Sequence, residues 1–163
     1  MPQPTWQIAL LGAEHVHSLA ECHIACWREA YRGLVPDHVL AAFDVERSAE
    51  QWERVRIRYP TSTYVAVVDD EVIGFASTGA SRDESPVTPG ELNALYVRAA
   101  WYGTGVAHDL IRAAVAPDIP CSLWVFEKNQ RAQAFYRKHG FELDGASRIE
   151  AFTPSIEVRM VRR

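Results

Sequence analysis

Cysteine is scarce in this 163-residue chain: Cys22, Cys26 and Cys121 are all it has. Three is an odd number, and their spacing matches no disulfide framework, so a stapled secreted scaffold is excluded and a reducing compartment is expected. Long apolar runs are missing too. None approaches the roughly 18 residues of a membrane helix, and Met1–Leu11 lacks the basic start and long apolar stretch of a signal peptide. Nor is there a basic excess. Seventeen Lys+Arg stand against 21 Asp+Glu, a formal charge of −4, which does not invite a nucleic-acid backbone. Arg54, Arg56 and Arg58 cluster, but their even spacing and acidic neighbours read as a solvated face. No repeat and no linker divides the sequence. A single domain over residues 1–163, cytoplasmic, with neither nucleic-acid nor membrane partners, is the expectation.

What is present is ordinary globular material: 48% hydrophobic and 23% charged residues, which excludes disorder. Trp6–Leu11 alternates as a short strand. Apolar residues at Val16, Leu19, Ala20, His23, Ile24, Trp27 and Tyr31 mark one face of a long helix over Glu14–Tyr31. Gly33 stops it and Pro36 opens a new turn. A second helix, amphipathic through Trp52, Val55 and Tyr59, spans about Glu46–Arg58. The period then changes to two. Thr63–Val68 and Val72–Ser77 flank Asp69-Asp70-Glu71 as a hairpin, Ser81–Gly90 is a polar loop, and Glu91–Val97 is a further strand. A helix covers Thr104–Val115, Cys121–Phe126 is apolar on both faces like a central strand, and Asn129–His139 is a helix capped by Asn129 and ended by Gly140. Strands near Phe141–Ser147 and Ile156–Val161 complete the order β-α-α-β-β-β-α-β-α-β-β. This is an α/β fold with a mixed sheet of about seven strands and about four helices.

Cys22, His23 and Cys26 lie within about one helical turn, as metal ligands would. No second Cys/His group completes a tetrahedral set, so a buried helix face is the better reading and no metal is expected. The Gly103-Thr104-Gly105-Val106-Ala107 turn carries more chemistry. Small residues between a strand and a helix let backbone amides approach a ligand, and amides at a helix N-terminus favour an anion. Phosphate or pyrophosphate is the ligand suggested; a tight turn without ligand is the alternative. A P-loop is excluded because no Gly-Lys-Ser/Thr is present, and the dinucleotide-fold pattern is absent as well.

Downstream stands Leu123-Trp-Val-Phe-Glu-Lys-Asn129-Gln-Arg-Ala132-Gln-Ala134-Phe135-Tyr136-Arg-Lys-His-Gly140-Phe141-Glu142. With the Leu95-Tyr96-Val97 strand and the glycine turn, this stretch resembles the GNAT acetyltransferase superfamily over about Glu91–Gly145. Trp27–Asp37 is also similar to a subset of bacterial members of that superfamily. The resemblance implies acetyl-CoA as cosubstrate. Its pyrophosphate would rest on the amides of Tyr102, Gly103, Thr104, Gly105, Val106 and Ala107, and its pantetheine arm would pair with the backbone of Leu95, Tyr96 and Val97. Asn129, besides capping its helix, would contact that arm. This chain departs from the usual pattern at Tyr102, where similar proteins carry Gln or Arg, and at Thr104, often basic. Arg98 is a candidate to supply the missing cation, and a solvated surface arginine is the other reading.

The resemblance further implies that Tyr136 is the general acid to the departing CoA thiolate; a core tyrosine is the alternative. Glu91 is the candidate general base, acting through water, or else a solvated carboxylate at a strand end. A backbone amide near Tyr96 or Val97 would stabilise the oxyanion. Trp27 and Tyr31 are candidates to line the acceptor pocket, against simple core packing. None of the cysteines lies in the motif region, so no cysteine nucleophile is expected. The implied reaction is direct transfer to a primary amine of a small molecule or protein, the acceptor being selected by loops such as Arg32–Val45 and Ile149–Ser155. The competing reading is a non-catalytic acyl-CoA-binding or partner-binding module on the same fold. Similar proteins often dimerise, so a second copy of the chain is a candidate partner.

Overall fold

The computed structural model describes residues 5–149 and 155–163. One seven-stranded sheet organises them, built from β1 (Gln7–Leu10), β2 (Thr63–Val68), β3 (Glu71–Ala80), β4 (Gly90–Val97), β5 (Cys121–Phe126), β6 (Glu142–Ile149) and β7 (Ile156–Arg162). Five helices accompany it: α1 (Val16–Tyr31), α2 (Asp37–Ala41), α3 (Val45–Arg58), α4 (Val106–Ala114) and α5 (Gln130–Lys138). The strand order is β1-β2-β3-β4-β5-β7-β6. Every neighbouring pair is antiparallel except β4–β5.

Local chemistry explains most boundaries. Asp69 and Asp70 turn the β2–β3 hairpin with φ of 49° and 64°, a left-handed pair that Asp tolerates better than most residues. Asp44 caps α3, its Oδ1 accepting from the amides of Glu46 and Arg47 at 2.8 and 3.2 Å. The chain after α1 differs from the sequence expectation: Pro36 starts a five-residue helix, α2, which adds a fifth helix to the order. It is too short to display periodicity, and Leu40 docks it beside Tyr31, Val35 and Phe126. Tyr59 is a second difference. It lies past the end of α3, 55% exposed, rather than on the helix's apolar face.

Two layers of helices cover the sheet. On one face α1, with α3 behind it, buries Leu19, Cys22 and Cys26 against Val65, Val72 and Phe75. On the other face α4 and α5 bury Val106, Leu110, Ile111 and Tyr136 against Ala66, Ile73, Leu123 and Val125. Strand β4 and helix α4 both come so close to Gly74 of β3 that a Cβ there would lie 2.9 Å from the Tyr96 carbonyl and 3.2 Å from Leu110. Only glycine fits there.

Candidate active site

Parallel pairing of β4 with β5 extends only from Gly90↔Cys121 to Glu91↔Ser122. Beyond that the strands splay, and the rest of β4 has no neighbour on that side. Pairing with β3 shifts register between Ser77 and Thr78, leaving Asn93 as an extra residue in β4, a bulge that bends the strand away. Arg98 donates its amide to the Ile73 carbonyl at 2.9 Å. By antiparallel alternation the backbone of Tyr96 therefore bonds toward β3, whereas Leu95 and Val97 direct theirs into the gap. Of the two amides considered for the oxyanion, Val97 has the suitable orientation.

The gap opens into a cavity of about 990 Å³ that passes through the sheet. On the α4/α5 side it is lined by Tyr102, Gly103, Gly105, Ala107, Asn129 and Tyr136. On the α1 side its walls include Trp27, Tyr31, Tyr96, Trp124, Glu91 and Glu157. Trp27 and Tyr31 thus serve both as core, packed with Phe126, and as wall.

Gly103 and Gly105 adopt φ of 76° and 99°, and Gly105 is the N-cap of α4 without any side-chain cap. Only the amides of Tyr102 and Thr104 are consumed within the turn, donating to the carbonyls of Ala99 (3.1 Å) and Trp101 (3.4 Å). Those of Gly103, Gly105, Val106, Ala107 and His108 meet no acceptor among the described residues. They form an anion cradle of the kind expected at a helix start. Trp6 braces it, donating its indole N–H to Asp109 at 2.9 Å and packing edge-on against Trp101. Thr104 is turned away from the cavity wall, its hydroxyl bonded to the Trp101 carbonyl at 2.6 Å. Val106 places its side chain wholly in the core and offers only its amide. Arg98 does not line the cavity, and its Nε donates to Glu29 at 2.8 Å, outside the site.

Asn129 caps α5, its side-chain oxygen accepting from the Ala132 amide at 3.2 Å. Asn129 also lines the cavity, and its side-chain NH₂ meets no acceptor among the described residues. Tyr136 is 8% exposed. Burial, reinforced by the neighbouring Tyr31 and Cys121, pushes its phenol well above the ordinary tyrosine value. Its hydroxyl bonds to no described residue, although the ring packs edge-on near Phe135 and Phe141. Across the opening, the hydroxyls of Tyr31 and Tyr96 are 3.0 Å apart, and burial raises the pKa of both.

Glu91 is not a solvated carboxylate: it is 3% exposed. Its Oε2 accepts from Arg82 at 3.2 Å, while the buried Oε1 has no partner among the described residues. The Arg82 side chain, 68% exposed, reaches in from the 81–89 loop. Arg82, Trp124, Arg131, Arg148 and Glu157, none of them marked by the sequence motifs, also line the cavity. Only topology unites them; no motif spacing signals it.

Cys26 lines the cavity and faces Cys22 across 3.8 Å between sulfurs. That contact and burial raise its pKa far above the ordinary range, holding it as an unreactive thiol. Cys121 is buried and likewise raised, chiefly by burial. His23 sits among Trp27, Trp52, Phe75 and Tyr96, with Nδ1 accepting from the Trp52 indole at 3.2 Å. The loop residues 150–154, expected to help select the acceptor, lie outside the described residues. Among the described residues no group of three His, Cys, Asp or Glu side chains is arranged to hold a metal ion, and no helix is long and apolar enough to cross a membrane.

Known proteins share this architecture. The chain is similar to an uncharacterized N-acetyltransferase of Mycobacterium tuberculosis, 29% identical over 119 residues that span 69% of this chain and 72% of the relative. Among solved structures, the PaiA N-acetyltransferase of Thermoplasma acidophilum in complex with coenzyme A superposes with a TM-score of 0.75 at 20% identity, over 98% of this chain and 99% of that one. A protein of Pyrococcus horikoshii superposes with a TM-score of 0.71 at 22% identity, over 98% of each chain. A profile of the acetyltransferase (GNAT) domain matches residues 60–143, more than half of the sequence. The chain belongs to the GNAT acetyltransferase family.

Proposed function

We propose that this protein transfers an acetyl group from acetyl-CoA to a primary amine by direct attack within a ternary complex. One observation carries the reading: a single cavity runs through the splayed sheet, with free amides on one side, a buried carboxylate on the other and a buried phenol on its wall. The free amides of Gly103, Gly105, Val106 and Ala107 suit the cofactor's pyrophosphate. The gap-facing backbone of Leu95 and Val97 suits the amides of the pantetheine arm, which adds like a strand where β5 has departed. The Asn129 NH₂ completes that contact.

On the α1 side, an incoming ammonium meets Glu91. A lysine-like amine loses about 4 to 5 kcal/mol to deprotonation at pH 7, and a buried carboxylate with one free oxygen is suited to accept that proton directly or through water. Attack forms the C–N bond and places negative charge on the thioester oxygen, where the Val97 amide can donate. Collapse breaks the C–S bond. Tyr136 donates its proton to the departing sulfur; the proton first taken by Glu91 is released to solvent, and the second, shed by the nitrogen as the amide forms, restores the phenol through solvent. Burial raises the phenol and so keeps it protonated until the thiolate departs. The protonated state of Cys26 and Cys121 favours this route over an acyl-cysteine intermediate. Three reduced, buried cysteines fit a cytoplasmic setting.

The test is release of CoA thiol from acetyl-CoA against a panel of primary amines, beside a thermal-shift titration with acetyl-CoA, NAD and ATP. Amine-dependent release and a shift specific to acetyl-CoA are expected. A shift without release from any amine would favour the binding-module reading, and no shift at millimolar acetyl-CoA would refute both.

A further inference from the structure

The α4/α5 side of the cavity holds a cation, Arg131, with no counter-charge among the described residues. Arg131 follows Asn129 and Gln130 at the start of α5, where the helix dipole favours acids and disfavours a positive charge. No acidic residue stands in that first turn, and among the described residues no carboxylate pairs with Arg131. Instead its guanidinium carbon lies 3.6 Å from the centroid of the Tyr102 ring. Tyr102 immediately precedes Gly103 in the amide turn, and the residue is 36% exposed. Arg131, Tyr102, Gly103 and Gly105 share one wall of the cavity.

We propose that Arg131, held flat on Tyr102, is the counter-charge for the cofactor's diphosphate, closing from α5 the cradle that the turn amides open from α4. This assignment rests on the acetyl-CoA reading above. Amides at one helix start offer partial charge only, whereas a diphosphate carries full negative charges on oxygens spaced for a planar fork. A guanidinium supplies that fork, and an aromatic face orients it. Tyr102 therefore contributes as a platform for the cation. This also explains why a turn without its own basic side chain can serve a phosphorylated ligand.

The experiment measures CoA affinity by calorimetry and the KM for S-acetylpantetheine, which lacks the diphosphate, for wild type, Arg131→Ala, Arg131→Lys, Tyr102→Phe and Tyr102→Ala. Arg131→Ala should bind CoA about 10- to 100-fold more weakly, with the S-acetylpantetheine KM unchanged. Arg131→Lys should fall between, keeping charge but not the fork. Tyr102→Phe should stay within about twofold of wild type, and Tyr102→Ala should lose part of the affinity. Wild type that binds CoA beside an Arg131→Ala variant of equal affinity would overturn this assignment alone. Equal loss toward CoA and S-acetylpantetheine would overturn it too, by showing a general disturbance of the site. Wild type that binds no CoA would bring down the cofactor reading together with it. Arg131 is exposed, so the variants are expected to fold, and their melting curves check that directly.

Discussion

Replacing Tyr136 by Phe separates the two lives of this side chain, core ring and proton donor. The ring contributes to packing, 5.9 Å from Phe141 and 5.5 Å from Phe135 between centroids, and Phe keeps all of that. The hydroxyl bonds to no described residue, so its removal breaks no protein hydrogen bond. The stability change should be under about 1 kcal/mol, which for a domain of this size moves Tm by no more than about 4 °C. Acetyl-CoA affinity should remain within about threefold. Turnover is different. A positioned general acid contributes about 10²- to 10⁴-fold, so kcat should fall at least about 100-fold, near 2.7 kcal/mol of barrier. The assay is thiol release at saturating acetyl-CoA and acceptor, with calorimetry for the cofactor. The pH profile adds a second reading. Because burial raises the Tyr136 phenol above its ordinary value, the donor stays protonated through pH 10, and this group should impose no descending limb below that. A Phe variant that turns over within threefold of wild type while binding acetyl-CoA normally would remove Tyr136 from the mechanism.

Three further outcomes follow from the same geometry. Glu91→Gln preserves shape but removes the charge, so kcat/KM for the amine should fall about 100-fold near pH 7 and recover as pH approaches the amine's own pKa; a loss independent of pH would refute the base role. Gly105→Ala introduces a Cβ that meets nothing nearer than the Trp6 ring at 3.9 Å, but at φ +99°. The cost is conformational, about 1 to 2 kcal/mol, and both Tm and acetyl-CoA affinity should drop; unchanged affinity would mean that the turn amides do not bind the cofactor. His23 is lowered by burial to about 4 from an ordinary 6.5. Its contribution is complete above pH 6.5 and is lost as pH falls toward 4, by about 3 kcal/mol in all. His23→Gln should flatten that acid limb in denaturation curves, and an unchanged limb would assign it to other groups.

Most of this architecture was legible because its signals are local. The β5 boundaries, Cys121–Phe126, follow from an apolar run bounded by Pro120 and a polar turn; the start of α5 follows from the Asn129 cap. Helix α2 was not legible, since five residues are too few to show a period and its place is set by packing against Phe126. In the site, the glycine turn and the Asn129–Tyr136 spacing announce themselves, as one turn and one helix fix them. Residues 82, 124, 131, 148 and 157 carry no such signal. They come from four separate elements and a loop, and only the sheet order brings them to one cavity. The tertiary structure alone also decided which candidates are free to act. It committed Arg98 to Glu29, turned Thr104 into its own turn and placed Arg131 on Tyr102. Above all it buried Glu91 beneath Arg82. Sequence by itself determined the family of elements and the amide cradle, because backbone preferences act over a few residues. Availability, burial and charge pairing depend on neighbours distant along the chain, and these exist only once the sheet has closed around them.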